Sequence, residues 1–352
     1  MRTTPAEADQ ARHASEGTRA VNLRVAPSGT QVPTATAGST AGREGLRTMS
    51  GTFMLSFDCE GKWGIVDCLS RRHYELYTSA NLEATYQRLT RLLQAYGIQA
   101  TFAFTTAFSL TAERFNRLMP GPEDLGAAWQ AWTGRALAAQ EEDGGEGWFA
   151  PACFDAVREQ DCHEIASHGF SHIPWQATYA TRAVLDAELA LCRQVPAFSA
   201  DAVKTFVFPR NQVAHTDLLA ARGFTGYRDA RACASRVGNF ASEFNLLSRS
   251  ERFESDLRNP TPVPAGYFLN WRHGLRRCVP AALTVRRWKH LLRHAADTGG
   301  VVHAWTHPEN FVDGHAMFPM LEKILRFVAD ERESGRLQVV TSTQFIARTQ
   351  PL

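Results

Sequence analysis

From Phe53 onward the chain alternates between short apolar runs and longer segments of helical period. Phe-Met-Leu-Ser-Phe at 53–57 is an apolar run ending at Asp58, which predicts a buried strand. Leu82, Tyr86, Leu89, Leu92, Leu93 and Tyr96 recur at three- and four-residue intervals and predict a helix over 79–96, stopped by Gly97. Residues 98–105 are rich in β-branched and aromatic side chains and predict the next strand. Two or three helices are expected over 111–160, with the acidic, glycine-rich stretch 141–147 as a loop. Further strands are expected at 164–167, 205–208, 224–227, 301–306 and near 337–341, and helices at 178–194, 214–222, 284–298 and 317–333. Pro260, Pro262 and Pro264 mark 235–265 as irregular. The repeated strand–helix order predicts a mainly parallel sheet or (β/α) barrel with fewer than eight units.

Residues 1–50 break this pattern. They are rich in Ala, Thr, Gly, Ser and Arg and nearly free of large apolar side chains, so a disordered extension is expected there. Met49, ahead of the first strand, and Met54, at its beginning, are read as alternative starts.

Composition narrows the function classes. With 44% hydrophobic and 21% charged residues, the 352-residue chain reads as an ordinary globular protein. A formal charge of +2 gives no electrostatic reason to expect nucleic acid as a partner. Seven cysteines, an odd number without CxxC spacing, speak against a disulfide framework or a structural zinc knot. No run is long and apolar enough for a membrane span, and no secretory h-region is visible, so a cytoplasmic location is expected.

The polar residues that matter share one position. Asp58, His168, Pro209-Arg210 and His307 each follow an apolar strand, and in parallel α/β folds the strand C-termini gather on one face. Asp58-Cys59-Glu60 places two carboxylates two residues apart, so that one can bind a cation and the other handle protons. His168 and His172, four apart, would share a face if that segment were helical and could chelate one divalent ion. In His303-Ala-Trp305-Thr-His307, the two histidines and Trp305 point to one side of a strand, His307 at the cleft and His303 deeper as a core or supporting residue. Two histidines and a carboxylate on one ion leave positions open for water and substrate. A further histidine and carboxylate then supply general acid and base, a set suited to metal-assisted hydrolysis.

These pieces, in order, resemble the polysaccharide deacetylase family (the NodB-homology domain) over about residues 52–345. Ser-Phe-Asp58-Cys-Glu60-Gly is similar to its first motif in the D-x-E form, and Glu-Ile-Ala-Ser-His168-Gly-Phe-Ser-His172 to its second. Phe-Val-Phe-Pro209-Arg210-Asn211 is similar to its third, and Trp305-Thr-His307-Pro-Glu-Asn to its C-terminal histidine motif. The resemblance implies a distorted (β/α) barrel of about seven parallel strands, forming one catalytic domain over 51–349 with insertions near 111–160 and 235–275. It implies Glu60, His168 and His172 as ligands of one divalent ion. Zinc is expected, with cobalt, nickel, manganese or iron compatible with the same donors. It implies Asp58 as general base, His307 as general acid, and Arg210 as a residue that orients Asp58 or binds substrate. Pro209, Asn211 and Trp305 would line the substrate groove.

The chain departs from the pattern at Cys59, where many members have a second aspartate, and at Arg210, which follows rather than precedes the proline. A thiolate ligand suits hydrolysis at a hard carbonyl poorly, which places the ligand at Glu60. The insertions are expected as a cap, with Trp129, Trp132, Trp148, Trp175 and Trp271 available for sugar stacking or for the core. The expected activity is removal of an acetyl or formyl group from an N- or O-acylated sugar, such as a surface-polysaccharide precursor or oligosaccharide. The alternatives are a C–N hydrolase acting on a small non-sugar amide and a non-catalytic carbohydrate-binding relative.

Overall fold

The computed structural model describes residues 50–119, 126–231, 249–251, 258–269, 278–312 and 316–349. The expected N-terminal extension up to residue 49, most of the 235–275 insertion, and Trp271 lie outside these residues.

Nine strands are described: β1 (Gly51–Cys59), β2 (Thr101–Phe104), β3 (Glu164–Ser167), β4 (Thr205–Val207), β5 (Gly226–Arg228), β6 (Thr261–Val263), β7 (Tyr267–Phe268), β8 (Val301–Thr306) and β9 (Leu337–Val339). The described helices are α1 (Arg71–Leu76), α2 (Ser79–Ala95), α3 (Ala112–Leu118), α4 (Gly126–Asp143), α5 (Pro151–Arg158), α6 (Arg182–Gln194), α7 (Thr216–Ala221), α8 (Ala281–Thr298), α9 (Met317–Glu333) and α10 (Ser342–Thr349). Short 3₁₀ turns follow several strands.

The strands form one sheet in the order β6-β5-β4-β3-β2-β1-β8-β7, and every described strand pair is parallel. β1 is long enough to serve three neighbours. β8 pairs along Thr52–Phe57, while β9 at Gly51–Phe53 and β2 at Ser56–Cys59 share the opposite edge. The path ends at β6 and β7, and among the described residues no ladder joins them, so the barrel is distorted and incompletely closed. β6 stands where the prolines predict irregular chain. Pro262 is accommodated because β6 is an edge strand, where one missing N–H need not interrupt a ladder.

The alternation along β1 separates two faces. Phe53, Leu55, Phe57 and Cys59 join the large core beneath the helices. Met54, Ser56 and Asp58 face the barrel interior, and in register with them so do His303 and Trp305 of β8. α2 covers the outer face with Leu82, Tyr86, Leu89 and Leu93, and its N-terminus is capped by the Thr78 hydroxyl, which accepts from the Asn81 N–H at 3.2 Å. Burying each such side chain contributes roughly 1.5–3 kcal/mol. Inside the barrel, Met54, Val263 and Val301 pack on Phe345 and Ile346 of α10, which fills the end toward the strand N-termini. Ala103, Ala166 and Val207 form a small-residue layer. The opposite end of the interior is polar: Asp58, Arg228, His168 and His303 are all buried.

Candidate active site and metal centre

β1 delivers Asp58 inward and Cys59 outward, and Glu60 follows at the cleft. Glu60 Oε2 lies 2.7 Å from His172 Nε2 and 3.4 Å from His168 Nε2, and its Oε1 lies 3.6 Å from His307 Nε2. Burial alone would raise its pKa, but the charges of His172 and His307 outweigh this and hold the carboxylate well below its ordinary value. Cys59 points into the core, its thiol 3.6 Å from the Phe57 carbonyl and pushed well above the usual thiol pKa by burial. The period of two along β1 therefore gives Glu60, not Cys59, to the cleft.

His168 and His172 meet differently from the helical expectation. The chain from 168 to 172 is an irregular loop, with Gly169 at φ 80° and His172 itself at φ 60°. The left-handed conformation at His172 is costly for a non-glycine residue, so its neighbours must hold it. Glu188 of α6, fully buried, accepts from the Phe170 and Ser171 N–H groups at 3.1 and 2.9 Å. It also accepts from the Ser171 hydroxyl at 2.5 Å and from Trp129 Nε1 at 2.6 Å. Trp132 Nε1 donates to the Ser171 carbonyl at 2.9 Å. Helix α4 thus secures the histidine loop from behind. Trp129, Trp132, Trp148 and Trp175 are all buried, in the core rather than offered for stacking.

Asp58 is bound by a residue that the motif pattern did not single out. Arg228, at the end of β5, donates to both carboxylate oxygens at 2.6 Å, with both side chains about as buried as the core. Burial alone would raise the Asp58 pKa, but the Arg228 charge and its hydrogen bonds outweigh it and leave the group below its usual value. Arg228 Nη2 also donates to Asn211 Oδ1 at 2.8 Å, and its Nη1 reaches the Ser56 hydroxyl at 3.3 Å. Ser56 Oγ is 2.8 Å from His303 Nε2, and His303 Nδ1 is 2.7 Å from the Pro264 carbonyl. Because a carbonyl can only accept, Nδ1 of His303 carries the proton and Nε2 accepts from Ser56. Burial, with Arg228 nearby, lowers the His303 pKa to about 4, so the ring is neutral.

Arg210 does not reach Asp58. Its guanidinium bonds Asp67 Oδ1 at 2.5 Å and stands 5.7 Å from the Trp132 ring at the rim of the site. The expectation that Arg210 orients Asp58 is corrected: Arg228 does. The strand was expected to end at Tyr227, one residue short of the arginine that occupies the same strand-end position as Asp58 and His307.

Trp305 is half-buried beneath Arg228, with the guanidinium 4.6 Å from its ring and Phe268 tilted against it at 53°, ring centroids 4.8 Å apart. Pro209 is buried in the turn that brings Asn211 to Arg228. His307 is partly exposed, and Asn310 Nδ2 lies 3.4 Å from its Nδ1. Glu309 is buried and turns back to accept from the Gly61 N–H at 2.7 Å and the Glu60 N–H at 3.3 Å. Burial first, then repulsion from Glu60, raises its pKa to about 8.

The donor set fits a divalent ion. The ligand atoms of Glu60, His168 and His172 lie within 4.8 Å of one another, and all three residues are buried. His168 Nδ1 is 2.7 Å from the Val207 carbonyl and donates to it, so that in the neutral ring Nε2 is the nitrogen with the lone pair, on the side of Glu60. Among the described residues, buried His172 Nε2 has no hydrogen-bond partner; it lies 2.7 Å from Glu60 Oε2 but without hydrogen-bond geometry. Buried polar atoms are normally paired, and a cation between these atoms would supply the missing partner. No helix among the described residues is long and apolar enough to cross a membrane.

Compared with protein-family models and with curated proteins, the sequence gives no match. The fold is similar to solved structures. A Mycobacterium smegmatis protein described as a polysaccharide deacetylase superposes with a TM-score of 0.51 at 13% identity, covering 87% of this chain and 92% of that one. A Pseudomonas aeruginosa PAO1 protein described in the same terms gives a TM-score of 0.50 at 14% identity, covering 85% and 91%. The nine-stranded, incompletely closed parallel barrel is that of the polysaccharide deacetylases, and this chain has their fold.

Proposed function

We propose that this chain is a metal-dependent deacetylase that removes an acetyl group from an N- or O-acylated sugar. The observation that carries the reading is one cleft holding two sets: Glu60, His168 and His172 with their ligand atoms within 4.8 Å of one another, and Asp58 on its Arg228 fork with His307, whose Nε2 is 3.6 Å from Glu60. A bound divalent ion, zinc by the nature of the donors, would polarise the acyl carbonyl and acidify a water.

The protein's own groups supply the rest. Asp58, held ionised and fixed in orientation by the Arg228 fork, is the general base toward the attacking water. His307 is the general acid. Asn310 donates to its Nδ1, so that Nε2 carries the proton and faces the reacting centre. Trp305, partly exposed, can line the substrate groove with the part of its indole that Arg228 and Phe268 leave uncovered, and Arg210 at the rim can bind substrate polar groups. A non-catalytic carbohydrate-binding role would be expected to lack part of this machinery, and each part is present.

The test is acetate release by zinc-loaded protein from acetylated chito-oligosaccharides, acetylated xylo-oligosaccharides and nucleotide-linked N-acetylhexosamines. Wild type is expected to release acetate from at least one, and Asp58→Asn to lower kcat by roughly 10²–10⁴-fold. Acetate release by Asp58→Asn at the wild-type rate would remove the base assignment. Metal binding with no release from any acetylated saccharide would remove the substrate class.

A further inference from the structure

Two ligand loops of the site end on buried carboxylates that do not face the cleft, and the two carboxylates are bonded differently. We propose that Glu188 and Glu309 are positioning residues that hold the metal ligands His172 and Glu60 in place through backbone N–H groups. Glu188 is required as a four-acceptor carboxylate, and Glu309 only as a single acceptor oxygen. The inference rests on the metal-site reading above.

Glu188 has no spare capacity. One oxygen receives the Phe170 and Ser171 N–H groups, and the other receives Trp129 Nε1 and the Ser171 hydroxyl. These donors bracket the turn between His168 and His172, where the chain passes into the left-handed conformation at His172. A glutamine must place its NH₂ against one of the two pairs. Against the backbone pair it meets two fixed N–H donors. Against the other pair the Ser171 hydroxyl can rotate to accept, but the Trp129 indole N–H cannot. Either placement opposes donor to donor in a buried site, and the loop must shift to relieve it.

Glu309 differs. Among the described residues Oε1 alone is engaged, by the N–H groups of Gly61 and Glu60, and Oε2 has no hydrogen-bond partner. A glutamine can present its oxygen to both amides and its NH₂ to the side where no bond is lost. A leucine removes the acceptor and leaves both amides unpaired.

The probe is Zn²⁺ alone, titrated against a competing chelator with full-length protein, alongside amide hydrogen exchange at Phe170 and Ser171. Glu188→Gln is expected to weaken Zn²⁺ binding about 10–100-fold, the usual effect of removing a group that orients a ligand. Glu309→Gln is expected to stay within about threefold of wild type, and Glu309→Leu to lose about tenfold or more. The decisive arm is the double variant Glu188→Gln/Trp129→Phe. It removes the immovable donor, lets the glutamine NH₂ donate to Ser171 Oγ, and should recover most of the lost affinity. General damage to the fold predicts the opposite, because a second core substitution would add to the first. Equal losses in Glu188→Gln and Glu309→Gln, or no recovery in the double variant, would overturn the proposal. So would failure of both Glu188→Gln and the double variant to fold. If wild type itself binds no Zn²⁺, the metal reading fails, and the positioning role is decided by exchange. It stands if the Phe170 and Ser171 amides, protected in wild type, exchange faster in Glu188→Gln, and it falls if they do not.

Discussion

His168 and His307 both reach Glu60, yet their rings are oriented differently, as the proposed roles of ligand and acid require. His168 donates from Nδ1 to the Val207 carbonyl and turns a lone pair toward Glu60, as a ligand must. His307 accepts at Nδ1 from Asn310 and turns a proton toward Glu60, as an acid must. Neither assignment follows from residue type, because the partner of the far nitrogen decides it. The same holds for Asp58, whose orientation comes from the Arg228 fork, itself held by Asn211, Ser56 and, through Ser56, His303. A lysine at 228 keeps the charge but supplies a point donor in place of two parallel N–H groups. Arg228→Lys should therefore lower kcat on the order of 10–100-fold by misorienting the base, with zinc content and KM little changed. Steady-state kinetics with metal analysis checks this. Loss of kcat in proportion to lost zinc would mean that Arg228 supports the metal site instead.

At the scale of elements, the strand ends were the most legible feature of the sequence. Apolar runs stopping at Asp58, His168 and His307 were visible because burial on both faces imposes near-continuous hydrophobicity. Arg228 escaped because β5 contributes only three residues and its last is itself the arginine, so the apolar run stops one residue before the strand does. The histidine loop was legible as a pair of potential ligands but not as a conformation, since i,i+4 spacing mimics a helix and the support comes from α4 and α6. Glu188 did leave a signal: a charge set among Val184, Leu185, Leu189 and Cys192 on the buried face of its helix. The 3₁₀ turn Trp63–Ile65 after β1 shows how closely these connections are fitted. A Cβ on Gly64 would overlap the carboxylate of Glu60. The side chain end can move, so Gly64→Ala should fold with a near-wild-type melting temperature yet bind Zn²⁺ about tenfold or more weakly. Unchanged affinity in a zinc titration would show that Glu60 is not held where the ligand role needs it.

Over the whole molecule, the barrel assigns its two ends to different tasks. Toward the strand N-termini the interior is apolar and filled by α10, and toward the C-termini it is polar and holds the site. Fold class was readable because the strand–helix rhythm and the ordered motifs agree. The number of strands was not, because β6 and β7 are edge strands of three and two residues, and β6 carries Pro262 within it. Everything chemical in the proposed deacetylase depends on a divalent ion at Glu60, His168 and His172. The most direct measurement is therefore zinc stoichiometry and affinity of metal-stripped full-length protein, wild type beside His168→Ala and Asp58→Asn. About one ion per chain is expected in wild type and in Asp58→Asn, with binding by His168→Ala weaker by about two orders of magnitude or more. No zinc bound by wild type, or equal binding by His168→Ala, would contradict the metal centre and the function built on it.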